Sequence, residues 1–195
     1  MNKTLIYYNK NAEQYIQDTV NVEFSKTQDY FLDKLQAGSD ILDFGCGSGR
    51  DTKYFMDRGF KVDAIDGSIE LCERASEFTG IEVRNMLFQE LNEVEKYDGI
   101  WACSSILHLS KEELKKVLRK MIAALKNQGI IYTSFKYSDF EGERNGRHFT
   151  DFKEDGFVKF IEDLIGVKIE EQWITGDVRP NKGDERWLNI ILRKQ

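Results

Sequence analysis

The chain reads as an α/β protein built on a mostly parallel sheet that closes in an antiparallel hairpin. Three observations predict this. After residue 40, short apolar β-type runs alternate with helix-type segments, which is the pattern of βαβ units. The first run, Ile41 to Phe44, empties into glycines at alternate positions (Gly45, Gly47, Gly49), and a helix-type segment follows at once. The last two runs, 167–176 and 186–193, are separated only by residues 177–185, too short a link for a parallel crossover.

The elements follow in order. Residues 5–35 scatter Tyr7, Tyr8, Tyr15, Phe24, Tyr30, Phe31 and Leu35 among polar positions, and residues 1–37 are expected to form an N-terminal helical cap segment. Strands are expected over 40–45, 61–66, 81–84, 98–103, 129–135, 167–176 and 186–193, and helices over 49–58, 69–77, 111–126 and 153–165. Ser110 with Glu113 is a capping-box pair that starts the longest helix, and Gln128-Gly129 is expected to stop it. Its apolar positions (Leu114, Val117, Leu118, Met121, Ile122, Leu125) fall on one face, which should pack on the sheet. Residues 136–149 read as a long polar loop, and Pro180 and Gly183 mark the turn of the final hairpin. With no repeat and no linker-like stretch, one domain over 1–195 is expected.

Composition narrows the class. Of 195 residues, 41% are hydrophobic and 32% charged, the balance of a soluble globular protein. No apolar run is long enough to span a membrane, and the start, Met1 to Tyr8, lacks the apolar core of a signal peptide, so a cytoplasmic setting is expected. The formal charge of −6 opposes a phosphate backbone, and no nucleic-acid partner is expected. Three cysteines without a C-x-x-C pair, and two histidines far apart, signal neither a zinc site nor a disulfide framework.

The chemistry gathers at the carboxyl ends of the strands, where ligands bind on such sheets. Glycines at 45, 47 and 49 let a ligand lie on the backbone, and the next helix points free N–H groups at it. Asp43 stands two positions before the first glycine, and Asp66 ends the second strand, placed to accept both hydroxyls of a ribose. The spacing is G-x-G-x-G, not the G-x-G-x-x-G of dinucleotide sites. Beyond the later strands lie Asn85-Met86-Leu87-Phe88, then Cys103 to His108, then a stretch with Arg144, Arg147 and His148. Guanidinium groups pair well with carboxylate or phosphate, so Arg144 and Arg147 suit an anionic acceptor.

Asp43-Phe44-Gly45-Cys46-Gly47-Ser48-Gly49 resembles the S-adenosyl-L-methionine (SAM) motif of class I methyltransferases, and Asp66-Gly67-Ser68 resembles their ribose-binding motif. Tyr97 to Cys103 is similar to their fourth-strand motif. The run on to Arg50-Asp51, with Ile100 to His108, resembles small bacterial enzymes of the tellurite-resistance type. The resemblance covers residues of about 38 to 195. It implies a Rossmann-like class I methyltransferase sandwich, with seven strands in the order 3-2-1-4-5-7-6. It also implies SAM as cofactor, S-adenosyl-L-homocysteine as product, and no metal.

The site residues follow from that resemblance. Gly45, Cys46, Gly47 and Gly49 would carry the amino-acid part of SAM, with Cys46 as a packing residue, and Asp43 would orient its ammonium. Asp66, Gly67 and Ser68 would hold the ribose. Met86, Leu87 and Phe88 would cover the adenine against Ile69; many relatives carry an Asp there, so backbone groups or Gln89 would take over its hydrogen bonds. Cys103 would lie beside the methionine part, and Tyr8 and Tyr15 would fold over the cofactor. His108 is the candidate general base, and Arg144, Arg147, His148 and Arg179, with Trp187, are candidates for the acceptor side. The partner is then a small-molecule acceptor, the protein a monomer or homodimer. Two other readings stay open: a SAM-binding regulatory or partner protein without activity, and an NAD-dependent oxidoreductase, which needs the other glycine spacing.

Overall fold

The computed structural model describes residues 2–179 and 184–195. Three short helices come first: α1 (Lys3–Lys10), α2 (Ala12–Thr19) and α3 (Ser25–Leu32). Then β1 (Asp40–Phe44), α4 (Arg50–Asp57), β2 (Lys61–Asp66), α5 (Ile69–Thr79) and β3 (Val83–Asn85) alternate. They are followed by β4 (Tyr97–Ala102), α6 (Lys111–Ala124) and β5 (Leu125–Lys136). A small hairpin, β6 (Glu141–Arg144) and β7 (Arg147–Thr150), precedes α7 (Glu154–Ile161), β8 (Val167–Gly176) and β9 (Arg186–Lys194).

The main sheet has the order β3-β2-β1-β4-β5-β9-β8. Strands β1 to β5 pair in parallel, and β9 runs antiparallel to both neighbours. Since β6 and β7 pair with each other apart from this sheet, its last two strands in chain order are β8 and β9, and the expected 3-2-1-4-5-7-6 arrangement forms. Of the turn between them, Pro180 and Gly183 lie outside the described residues.

Strand alternation sorts the core into two layers. Ile41, Trp101, Tyr132 and Ile191 face Phe31 and Phe55 from α3 and α4. Leu42, Ile100, Ile131 and Ile190 face Leu114, Leu118 and Met121 from α6. Each such buried side chain contributes roughly 1.5–3 kcal/mol through removal of apolar area from water. The capping box forms as expected, with Ser110 N–H donating to Glu113 Oε2 at 3.2 Å and Glu113 N–H to Ser110 Oγ at 3.4 Å. No helix among the described residues is long and apolar enough to cross a membrane.

Three expectations need correction. The stretch 136–149 is not a loop throughout: Glu141–Arg144 and Arg147–Thr150 pair as a hairpin. Its turn is Asn145-Gly146, with φ of +50° and +76°, the geometry that two-residue hairpins favour because it matches strand twist. Helix α6 ends at Ala124, earlier than Gln128-Gly129. Leu125 already pairs with Tyr97, and the strand then shifts register before Ile130, with Gln128 at φ +63°. Helix α7 ends at Ile161 instead of running to 165, and Ile165 projects into solvent at 93% exposure, so no packing rewards a further turn.

Candidate functional site

The glycine turn leaves β1 with Gly45, Gly47 and Gly49 all at positive φ (+90°, +56° and +78°). A Cβ on Gly45 would sit 2.5 Å from Ser105 Cβ, so the β1 and β4 tips approach too closely for any side chain there. The N–H groups of Gly45 and Cys46 both donate to Ile65 O at 3.0 Å, which pins the turn against β2. Asp66 sits at the end of that strand. Its Oδ2 accepts from Gly47 N–H at 3.0 Å and its Oδ1 from Ser68 N–H at 2.8 Å. The two sequence motifs therefore meet in one carboxylate. Burial pushes Asp66 upward, against the lowering effect of N–H donors from Ser68, Gly47 and Gly67.

Behind the turn lie two buried acids. Asp51 takes the donors: Gln28 Nε2 at 2.7 Å, Trp101 Nε1 at 2.8 Å, and Arg50 through Nε at 2.7 Å and Nη2 at 3.0 Å. Asp43 receives the Thr52 hydroxyl at 2.6 Å. Burial first, then the neighbouring Asp51 charge, holds Asp43 well above the usual carboxylate range.

The N-terminal helices lie across this turn. The Tyr15 ring packs on Gly47, 2.9 Å from where a Cβ would stand, and Tyr8 meets Tyr15 edge-on with centroids 5.3 Å apart. Leu5 covers Gly67, and Ser68 Oγ donates to Asn9 Oδ1 at 2.6 Å while also capping α5. The hairpin holds the same helix from the other side: His148 N–H donates to Thr4 Oγ1 at 3.1 Å, and Lys3 pairs with Glu143 at 2.9 Å.

His108 joins these parts. Its Nδ1 lies 2.7 Å from His148 O, an atom that only accepts, so Nδ1 carries the proton. Nε2 then accepts from Tyr8 O–H at 2.8 Å. Burial pushes His108 down to about 4, so the ring is neutral near pH 7 with both nitrogens engaged.

A cavity of about 540 Å³ opens beyond the turn, over the tips of β4 and β5. Tyr8, Tyr15, Gly45, Cys46, Cys103, His108, Arg144, Arg147 and Arg179 line it. Asp66, Gly67, Ser68, Met86, Leu87 and Phe88 lie outside that lining, grouped around the β2 tip: Leu87 approaches Gly67, and Phe88 stacks on Phe44 with centroids 4.7 Å apart. The His148 ring is turned to Thr150 Oγ1 at 3.2 Å, and its carbonyl serves His108. Burial pushes the Cys103 thiol up to about 12 and the Cys46 thiol upward too, so both are thiols near neutral pH.

The arginines differ in their company. Arg144 grips Asp151 with Nη2 at 2.6 Å and 2.5 Å from its two oxygens, and Arg179 grips Asp177 with Nε at 2.9 Å from Oδ1. Ser104 and Ser134 also line the cavity and were not singled out from sequence. Ser104 holds φ +52° and its N–H donates to Ser134 Oγ at 2.9 Å. Nothing in the residue types marks that backbone conformation; it arises where β4 turns away from β5.

A family profile described as "Methyltransferase domain" matches residues 41–129, the span that carries the glycine turn, Asp66 and β4. The chain belongs to the class I methyltransferases. An uncharacterized methyltransferase of Staphylococcus carnosus is 25% identical over 167 residues, covering 76% of this chain and 81% of that protein. A malonyl-[acyl-carrier protein] O-methyltransferase of Acetivibrio thermocellus is 27% identical over 145 residues, covering 69% of this chain and 50% of that protein. Among solved structures, a 1,6-didemethyltoxoflavin-N1-methyltransferase of Burkholderia thailandensis, with its acceptor and S-adenosylhomocysteine bound, superposes with a TM-score of 0.76 at 20% identity. That superposition covers 97% of this methyltransferase and 85% of the other chain.

Proposed function

We propose that this methyltransferase moves a methyl group from SAM to a small-molecule acceptor in the 540 Å³ cavity. The observation that carries the reading is the single carboxylate of Asp66, bonded to Gly47 N–H on one side and Ser68 N–H on the other. A cradle without Cβ atoms beside an acid that can take a diol fits an adenosyl amino acid. Gly45, Cys46, Gly47 and Gly49 would bear the amino-acid part, Asp43 its ammonium, and Asp66, Gly67 and Ser68 the ribose. Met86, Leu87 and Phe88 would face the adenine, with Tyr8, Tyr15 and Cys103 closing over the remainder.

Bound SAM supplies a methyl already activated by its sulfonium. The chain has to hold the nucleophile in line, about 3–3.5 Å from that carbon before reaction, and keep water out. Tyr8, Tyr15 and the hairpin form the cover. His108 serves through Tyr8, whose oxygen it orients; acceptor contacts fall to Arg147 and Arg179, with Arg144 and His148 holding the hairpin that presents them. The three free cysteines, two buried and one half-buried, suit the expected cytoplasmic setting.

Calorimetric titration with SAM and S-adenosylhomocysteine, with NAD as control, tests the cofactor. Asp66→Ala should weaken both by about ten- to a hundredfold, since hydrogen bonds to a charged group are each worth roughly 1.5–3 kcal/mol. Unchanged affinity in a folded variant would exclude this site. Transfer of labelled methyl to a metabolite extract separates an enzyme from a binding protein without activity.

A further inference from the structure

The cavity wall carries an unusual charge pattern for a chain of net charge −6: six cationic and five acidic residues line it. Most of the cations are already spoken for. Arg50 pairs with Asp51, Arg144 with Asp151, Arg179 with Asp177, and Lys136 with Glu185. Arg186 is exposed and lies over the Tyr137 ring at 5.1 Å. Arg147 differs from all of these. It is half-buried, and no described carboxylate pairs with it. Its Nη1 donates to Tyr8 Oη at 3.3 Å, and its Nε is buried without a hydrogen-bond partner. Aromatic faces hold the guanidinium in place, with Tyr7 at 4.3 Å, Phe149 at 5.1 Å and Tyr8 at 5.7 Å from the ring centres.

A guanidinium withdrawn from water leaves donors that favour a bidentate anion. Stacking on rings fixes the plane of the fork before any ligand arrives, so little freedom remains to be lost on binding. The tether to Tyr8 puts that fork beside the lid residue that lies next to Tyr15 and the glycine turn. An anion on Arg147 would therefore sit on the far side of the cavity from the cofactor cradle, at a distance a small molecule can bridge.

We infer that the acceptor is a small molecule bearing a carboxylate or phosphate group, and that Arg147 is the residue that selects it. This rests on the methyl-transfer reading above. Arg144, one turn away on the same hairpin, has its charge neutralised by Asp151 and takes no part in the selection.

The test uses the full-length protein, labelled SAM and the small-molecule fraction of a bacterial lysate separated on an anion exchanger. Methyl acceptance should elute with salt and be absent from the flow-through. Prior treatment with alkaline phosphatase distinguishes the two anions: a phosphate-bearing acceptor loses activity, a carboxylate keeps it. Arg147→Gln should raise the KM for the active fraction by about a hundredfold, with Arg147→Lys recovering part of the loss, because only the lysine restores a charge. S-adenosylhomocysteine affinity should stay within about threefold in both variants, as a single long neutral contact to Tyr8 is at stake. Acceptance found in the flow-through, or an Arg147→Gln enzyme with wild-type KM, overturns the inference while leaving methyl transfer standing. Binding of S-adenosylhomocysteine with no transfer to any fraction overturns both.

Discussion

Tyr8 on the first helix donates its phenolic proton to Nε2 of His108, 2.8 Å away and 100 residues later in the chain. The direction of this bond is set elsewhere, by the His148 carbonyl that takes the Nδ1 proton. One imidazole thereby fastens the N-terminal cover to the tip of β4 and to the hairpin.

Removing the Tyr8 hydroxyl should loosen that cover. Tyr8→Phe leaves Nε2 without its donor, a change worth about 1 kcal/mol or roughly fivefold in affinity for S-adenosylhomocysteine. Amide exchange over residues 3–19 should quicken in the variant. Wild-type exchange and affinity together would show that the bond does not hold the helix.

Acid should act at the same point. Burial holds the folded-state His108 pKa near 4, against about 6.5 in an unfolded chain. Between these values the unfolded chain binds more protons, so stability is lost as pH falls from about 6.5 toward 4. Denaturant unfolding at pH 7 and pH 4.5 should show a loss of about 2 kcal/mol that is missing in His108→Gln. Equal losses in both proteins would assign the acid sensitivity to other groups.

Asp43 titrates in the opposite sense. Its folded pKa is raised by burial and by Asp51, so above the ordinary carboxylate pKa of about 3.9 the folded protein holds the extra proton. Stability therefore falls as pH rises through that window. Asp43→Asn keeps an acceptor for the Thr52 hydroxyl and removes the charge. The ligand-free variant should melt higher than wild type at pH 8 and bind SAM more weakly. A lower melting temperature at pH 8 would contradict the assignment.

The two hairpin arginines should separate cleanly. Arg144→Ala leaves the Asp151 side chain, 0% exposed, without its cation, although the Ser138 hydroxyl still donates at 2.6 Å. Stability should drop by about 2–4 kcal/mol, somewhat less than for a fully buried pair because the arginine is itself partly exposed. Arg147→Ala orphans no carboxylate, so thermal melts of the two variants should differ by several degrees. Equal melting temperatures would mean that the Asp151 pairing contributes little.

Much of this architecture was legible because its causes are local. The alternation of Ile41 and Leu42, or of Ile100 and Trp101, sorts side chains to opposite sheet faces whatever surrounds them. The short 177–185 link permits only an antiparallel return, and β8 and β9 pair that way. Asn145-Gly146 was equally readable as a hairpin turn; the polar residues around it, Glu143, Arg144 and Arg147, disguised it as open loop.

By itself, the sequence determined the sheet, the glycine turn and the pairing of Gly47 with Asp66, because backbone sterics and hydrophobic period act over a few residues. It could not tell Arg144 from Arg147, or say that the His108 imidazole would be neutral and capped. Those outcomes belong to tertiary structure: they depend on which carboxylate or hydroxyl arrives from a distant segment, and on how far burial weakens the solvation of charge.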